Sequence, residues 1–150
     1  MSDSVVEFLR ARLNEDAQHA RNATRGAWDT DHVRTRGEMA VLSEWGSVVA
    51  AYAGSETGTW ATPEPMDRGD AEHIARWNPA RVMAEVEAKR RLLARHDRIG
   101  TRWVGHPRAD REERDCIGCD EVWPCETVRL LALPYSQHLN YREEWRPSWS

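Results

Sequence analysis

The sequence predicts an α+β domain in which an N-terminal helix and a central helix pack on a small antiparallel sheet. Two observations predict this class. Apolar residues recur every three or four positions in residues 5–24 and 79–96, and short apolar runs separated by turns lie between residues 27 and 53. A third observation, three cysteines within residues 116–125, adds a C-terminal zinc knuckle followed by a short helix.

The first helix is predicted from its N-terminal signal and its apolar stripe. Ser4-Val-Val-Glu7 is a capping-box pattern, in which the serine oxygen and the glutamate satisfy first-turn amides reciprocally. The stripe extends to about Thr24, and Gly26 is a natural C-terminal stop. Its members are Val6, Leu9, Leu13, Ala17 and Ala20.

A three-stranded antiparallel sheet is predicted for residues 27–53. Met39–Leu42 and Val48–Tyr52 are short apolar or β-branched runs, separated by Glu44-Trp-Gly46 and preceded by Gly37. Residues 54–69 contain glycines, prolines and hydroxyl residues, a composition that predicts a loop.

Two further helices are predicted before the cysteines. Asp70 is expected to cap a short helix ending near Trp77, and Asn78-Pro79 is an N-cap followed by proline at the first helical position. The second of these helices should run to His96. Its buried side is marked by Val82, Met83, Val86 and Leu93, whereas Lys89, Arg90 and Arg91 lie largely outside that side.

The C-terminal third is predicted to be less regular. Residues 98–115 are charged and carry two glycines and a proline, so a long, partly flexible excursion is expected there. Glu126–Leu133 suits a short helix that Pro134 ends, and the aromatic tail Tyr135–Trp145 can pack back onto the domain or onto a second copy of the chain. We therefore expect two segments, residues 1–97 and 98–150, packed as one unit.

All three cysteines of the chain, Cys116, Cys119 and Cys125, fall within ten residues. A Cys-x-x-Cys pair with a third thiolate suits tetrahedral zinc, and the fourth ligand can be His96, His106 or His138. Four protein ligands leave no position for water, so such a zinc ion would be structural. The alternatives are three idle thiols, or a Cys116–Cys119 disulfide with one thiol left over.

Composition limits the cellular setting and the partners. The 150 residues carry a net charge of −4, although residues 81–114 hold ten Lys/Arg against six Asp/Glu. That local excess is either the solvated side of a helix or an anion-binding patch, and nucleic acid is not an expected partner. The odd cysteine count and the lack of a long apolar run predict a cytoplasmic protein that does not enter a membrane.

Eight tryptophans accompany one phenylalanine, which is more tryptophan than a core of this size can bury. Some are therefore expected at a partner surface or a ligand pocket. Two binding classes follow: an adaptor that contacts a protein partner, most simply a second copy of itself, or a protein that captures a small anionic nucleotide-type ligand. The candidate residues for these contacts are Trp28, Trp77, Arg76, Arg81 and Arg90.

Catalysis has little support in the sequence. There is no Gly-x-Ser-x-Gly elbow, phosphate-binding loop or His-Glu-x-x-His, and Pro124-Cys125 follows the cysteine pair instead of preceding it as in zinc deaminases. His73 with Asp70 and Glu72 could form an acid/base cluster, but acids at a helix start usually serve the cap and the dipole. We expect the protein not to be an enzyme.

Several segments together resemble an uncharacterised family of small proteins of actinobacteria and their phages. They are Ala23-Thr-Arg-Gly-Ala-Trp28, Asp70-Ala-Glu-His-Ile-Ala75, Asn78-Pro-Ala-Arg81, Glu87-Ala-Lys-Arg90, Cys119 to Cys125, Thr127-Val-Arg-Leu-Leu-Ala-Leu-Pro-Tyr135 and Tyr141-Arg-Glu-Glu-Trp-Arg-Pro147. The first half also resembles, more weakly, the Ea22-type accessory proteins of lambda phage. They share an Ala-Thr-Pro-Gly-Pro-Trp turn, whose two prolines are Arg25 and Ala27 here.

The resemblance implies a phage or actinobacterial cytoplasmic accessory protein and implies no reaction. It also implies that His96 is the fourth metal ligand, because a histidine precedes the cysteine pair at this helix end in the family pattern. In a phage setting, capture of a nucleotide-type immune signal would make the protein a counter-defence protein.

Overall fold

A computed structural model describes residues 5–33, 38–50, 68–101 and 114–148 of the chain. They contain helices and two separate antiparallel sheets of short strands, which confirms the predicted α+β class. In chain order the elements are α1 (Val5–Asn22), β1 (Trp28–Val33), β2 (Glu38–Ser43), β3 (Val48–Ala50), α2 (Arg68–Arg76), α3 (Pro79–His96), β4 (Ile99–Thr101), β5 (Arg114–Cys116) and α4 (Glu126–Ala132). Two single 3₁₀ turns follow α4, at Leu133–Tyr135 and Glu143–Trp145.

The chain divides into two compact units. We call Asp16–Glu85 the sheet unit, and we call Met1–Glu15 together with Val86–Ser150 the cysteine unit. The boundaries of these units differ from the predicted segments, residues 1–97 and 98–150. The structure groups Met1–Glu15 and the end of α3 with the C-terminal third. Packing of those two segments as one unit stays a prediction.

The sheet unit contains the predicted three-stranded sheet, in the order β1-β2-β3 with antiparallel pairs. The β2–β3 turn is closed by Gly46, whose φ of 75° is readily adopted only by glycine. The helix packed on β1 and β2 is α2, where Ala71 and Ala75 join Val41 in a buried cluster. The half-buried Trp28 of β1 also packs against this cluster.

The cysteine unit buries one stripe of each of its helices. Spacings of three and four residues on α1 and of seven residues on α3 place apolar side chains on the inner faces. Thiol, aliphatic and aromatic side chains from the C-terminal third complete the buried set. Its members are Val5, Val6, Phe8, Leu9, Leu13, Val86, Leu93, Cys116, Cys125, Val128, Ala132 and Trp145.

The aromatic tail packs back onto α1, as its composition indicates. Phe8, the single phenylalanine, meets the rings of Tyr135 and Tyr141 edge to face at centroid distances of 6.2 Å. The Trp145 ring lies 5.0 Å from Phe8 and is only 4% exposed. Edge-to-face aromatic pairs of this kind add about 0.5–1.5 kcal/mol beyond their area burial.

The limits of α3 agree with the sequence prediction. Asn78 caps the helix through its side-chain oxygen, which accepts a hydrogen bond from the Arg81 amide at 3.0 Å, and Pro79 is the first helical residue. Val86 and Leu93 are buried, whereas Val82 and Met83 are half-buried. Ser4, the predicted cap of α1, lies outside the described residues.

Two predictions need correction. Helix α2 begins at Arg68, so Asp70 lies in its first turn and is not its N-cap; the Arg68–Glu72 pair at 2.8 Å supports the additional residues. The second correction concerns residues 98–115, whose two ends form the paired strands β4 and β5, with Ile99 opposite Cys116. The residues between these strands, 102–113, lie outside the described part.

None of the helices in the described ranges combines the length and apolar character that a membrane span requires.

Candidate metal centre

The structure brings His96 and the three cysteines together. His96 is the last residue of α3, Cys116 ends β5, Cys119 follows in the turn, and Cys125 directly precedes α4. One donor atom from each of these four residues lies within 4.8 Å of the others. Cys116 and Cys125 are buried and the other two are half-buried, so the donors are largely withdrawn from solvent.

The distances within this cluster suit a tetrahedral ion. The Nδ1 atom of His96 lies 3.5 Å from Cys116 Sγ and 3.7 Å from Cys125 Sγ. Bond lengths of about 2.3 Å to sulfur and 2.0–2.1 Å to nitrogen place tetrahedral sulfur and nitrogen ligands about 3.6 Å apart. The side chains therefore fit zinc with Nδ1 of His96 as the histidine donor.

Backbone hydrogen bonds shape the Cys-x-x-Cys turn. The Cys116 carbonyl accepts from the amides of Cys119 at 3.4 Å and Asp120 at 2.8 Å, which folds the two-residue spacer into a tight knuckle. Asp120 has a φ of 58°, in the left-handed region that closes this turn. The Cys116 amide donates to Glu121 O at 2.8 Å, so the chain returns beside β5.

Gly118 allows the knuckle to approach the end of α3. A Cβ atom at residue 118 would lie 2.2 Å from the carbonyl oxygen of Arg95 and 3.2 Å from Nδ1 of His96. Any side chain at residue 118 would therefore push the knuckle away from the histidine donor. The sequence signal for this role is the glycine inside Cys-Ile-Gly-Cys, although the residue it faces cannot be identified from sequence alone.

Burial raises the pKa of two of the thiols, those of Cys119 and Cys125. Desolvation raises the pKa of Cys125 to about 12, against the opposing effect of a hydrogen bond from the Val128 amide. Desolvation also raises the pKa of Cys119, and here the Glu121 amide opposes it. A metal ion that binds must displace these thiol protons, and the two amides then support the thiolates.

Of the other two candidate histidines, His138 does not belong to this cluster. His138 lies beside Phe8, 5.6 Å between ring centroids, and its Nδ1 accepts from the Asn140 amide at 3.1 Å. His106 lies outside the described residues. The three cysteines form no disulfide.

Three of the residues predicted to contact a ligand line one cleft of the sheet unit. Trp28, Arg76 and Arg81 surround a cleft of about 390 Å³. Trp77 lies beneath the Arg81 guanidinium, 4.1 Å from the ring centroid, and is 42% exposed. The remaining lining residues are Asp29, Thr30, Glu72, Ala75 and Asn78.

The fifth predicted residue, Arg90, belongs to the cysteine unit and donates to Asn14 Oδ1 at 2.7 Å. Among its neighbours in the basic segment, Arg91 pairs with Glu87 at 2.8 Å along the helix. This pairing favours the interpretation of the segment as a solvated helix side.

The tryptophans are distributed as the sequence indicates. Trp145 is buried, Trp28 and Trp123 are half-buried, and Trp45 at the β2–β3 turn is 78% exposed. In the predicted acid/base cluster of His73, Asp70 and Glu72, the Glu72 carboxylate forms an ion pair with Arg68.

Comparison with family models places the chain in DUF6221, a family of unknown function, whose model matches residues 2–147. The chain belongs to this family. Comparison with curated proteins gives no match, and comparison with solved structures gives none either.

Proposed function

We propose that the protein is a non-catalytic binding protein whose cysteine unit is stabilised by one structural zinc ion. The observation that carries this proposal is the quartet of His96, Cys116, Cys119 and Cys125, with donor atoms within 4.8 Å of one another. Three soft thiolates and one imidazole select zinc over hard cations such as magnesium or calcium. Four protein donors fill a tetrahedral shell, so no position remains for a reacting water.

The quartet also brings together the end of α3 and the start of α4, and the segment between these two helices contains little regular structure. Between Cys116 and Cys125 there is no helix, and the paired strands β4 and β5 have only three residues each. A bound ion would tie the end of α3 to the start of α4 across this segment. Structural zinc sites contribute their binding free energy directly to folding, on the order of 10 kcal/mol in small peptides.

Native mass spectrometry of protein purified without added metal tests the zinc proposal. We expect one zinc ion per chain, lost under denaturing conditions and lost in the variant His96→Ala. The matched control is His19→Ala, because His19 is an exposed histidine of α1 outside the quartet. Purification of the native chain without zinc, and failure to take up zinc on titration, would contradict the proposal.

For the binding partner we propose a protein surface, most simply a second copy of the chain in an actinobacterial or phage cytoplasm. The exposed Trp45 and Trp77 support this, because large exposed aromatics are enriched at interfaces. The same native spectrum reports oligomeric state. Loss of a dimer in Trp45→Ala, with zinc retained, is the expected result, and a monomer at all concentrations would remove the dimer.

A second candidate, capture of a small anionic nucleotide-type ligand, is favoured by the cleft that Trp28, Arg76 and Arg81 line. An aromatic face and guanidinium groups are what a base and a phosphate require. Asp29 and Glu72 in the same lining oppose an anion, and Arg81 already pairs with Glu85 at 3.0 Å. These charges place this candidate second.

Calorimetry with linear and cyclic nucleotides tests the second candidate. Binding that is weakened in Arg76→Gln but not in the control Arg21→Gln would support it. Absence of heat across both nucleotide classes would remove it without affecting the zinc proposal.

A further inference from the structure

A second cleft, of about 480 Å³, lies in the cysteine unit between α1 and the C-terminal segment. Its size falls within the range of sites for small organic ligands, about 300–1,000 Å³. None of its residues belongs to the metal quartet or to the cleft of the sheet unit. The lining residues are Glu7, Phe8, Ala11, Arg12, Leu139, Asn140, Tyr141, Arg142 and Trp145.

The apolar part of this cleft is aromatic. Phe8, Tyr141 and Trp145 contact one another, with the Tyr141 and Trp145 rings perpendicular at 5.8 Å. Leu139 stands at the same cleft with 89% of its surface exposed. A flat apolar group bound against the rings would also cover this leucine, whose apolar surface is almost entirely exposed to solvent in the fold.

Two polar atoms in the cleft walls lack partners. Arg12 Nε and the Tyr141 hydroxyl are both buried, and no group of the described chain forms a hydrogen bond to either. Unsatisfied buried polar groups are rare because each one costs free energy. Both atoms can donate a hydrogen bond, so acceptor oxygens of a bound molecule, such as those of a carboxylate, would satisfy them.

The surrounding charges limit how much negative charge that acceptor can carry. Arg12 pairs with Glu15 at 3.0 Å through a terminal nitrogen, which leaves its Nε side for another acceptor. Arg142 and Glu7 add one charge of each sign to the lining. Counted this way the lining is neutral, so a carboxylate adds one negative charge, which hydrogen bonds from the two unpartnered donors would stabilise, whereas a doubly charged phosphate would add two.

We propose that this cleft binds a small aromatic carboxylate, with its ring against Phe8 and Trp145 and its carboxylate accepting from Arg12. Because both unpartnered atoms are buried, binding includes a small shift of the side chains that cover them. The inference goes beyond the proposed function and does not depend on zinc.

The test is a titration of the full-length protein with indole-3-acetate, followed by ¹H–¹⁵N NMR. We expect saturable shifts of the Arg12 Nε–H and Trp145 indole N–H signals, with the Arg12 proton moving downfield. Indole-3-acetamide, which lacks the charge, should bind about tenfold more weakly, as expected for loss of a charge-assisted hydrogen bond. Equal binding of the acid and the amide would overturn the proposal.

Two variants locate the site. Leu139→Ser should weaken binding about three- to fivefold, whereas Leu130→Ser, an exposed leucine outside the cleft, should leave it unchanged. Because Leu139 is almost fully exposed, its replacement leaves the fold intact. Equal effects of both variants, or an absence of shifts up to the solubility limit of the acid, would overturn the assignment. The metal content of the same sample is measured separately, so failure of the zinc proposal remains distinguishable.

Discussion

The sheet unit and the cysteine unit are stabilised in different ways. In the sheet unit, a continuous ladder joins β1 to β2 over six residue pairs, and small residues of α2 pack on it around Val41. In the cysteine unit, the segment from Cys116 to Cys125 has little regular structure, and its most buried side chains are thiols. Hydrogen-bonded strands run through the first unit, whereas the knuckle of the second would, on the proposed function, be held by a bound zinc ion.

The largest expected effect is that of Cys125→Ser. Cys125 is 1% exposed, and its backbone carbonyl accepts from the Arg129 amide in the first turn of α4. Removal of one ligand should cost roughly 5 kcal/mol or more of zinc-dependent stability. Calorimetry in the presence of zinc should show a lower unfolding temperature for the cysteine unit. A variant as stable as the native chain, with zinc retained, would contradict the ligand assignment.

Gly118→Ala should have the next largest effect. The added methyl group would lie 2.2 Å from the Arg95 carbonyl oxygen, so the knuckle must move away from α3. We expect a loss of about 3 kcal/mol together with weaker zinc binding, measured by competition with a chromophoric chelator. The matched control is Gly46→Ala in the sheet unit, where φ is 75° but no atom lies within 4 Å of the added group. It should lower stability without changing zinc affinity.

The pH dependence of zinc binding distinguishes the units further. The pKa of Cys119 and of Cys125 is raised by burial, the latter to about 12, so both thiols are protonated at pH 7 without metal. Zinc binding then releases about two or more protons, and affinity should rise roughly a hundredfold per pH unit between pH 6 and 8.

The stability of the metal-free fold depends on pH in the opposite direction to zinc affinity. A raised thiol pKa stabilises the metal-free fold below about pH 9 and loses this contribution as pH rises towards 12. Zinc affinity that is constant from pH 6 to 8 would show that these thiols are not ligands.

The smallest effect is expected for Val41→Ala in the sheet unit. Val41 is fully buried against Ala71 and Ala75, so its truncation should cost about 2 kcal/mol. Zinc content should not change. A urea titration of the variant measures this loss of stability. Loss of zinc in Val41→Ala would contradict the assignment of zinc binding to the cysteine unit alone.

How much the sequence could predict differs between elements. Local signals were sufficient for α3, because Asn78-Pro79 specifies its start and the apolar spacing specifies its buried side. The strands β4 and β5 were missed, since three-residue strands around Gly100 are too short to show an alternating pattern. The start of α2 was misplaced because Asp70 is as suitable in a first turn as at an N-cap.

At the candidate metal centre, too, some features could be predicted from local sequence signals and others could not. The cysteine spacing indicated a metal centre, and the structure places the three thiols and His96 together. The approach of Gly118 to Arg95 was not predictable, because it joins residues whose proximity depends on the tertiary fold. For the same reason the sequence could not separate Arg90, which bonds Asn14, from Arg76 and Arg81, which line the cleft of the sheet unit.

Hydrogen exchange with and without a zinc chelator tests the central claim most directly. The amides of residues 114–132 should lose protection when zinc is removed, because the quartet connects α3, β5 and α4. The amides of β1 and β2 in the sheet unit should keep theirs, since their ladder contains no metal ligand. Equal protection of residues 114–132 in both samples, from protein shown to contain zinc beforehand, would contradict a structural metal centre.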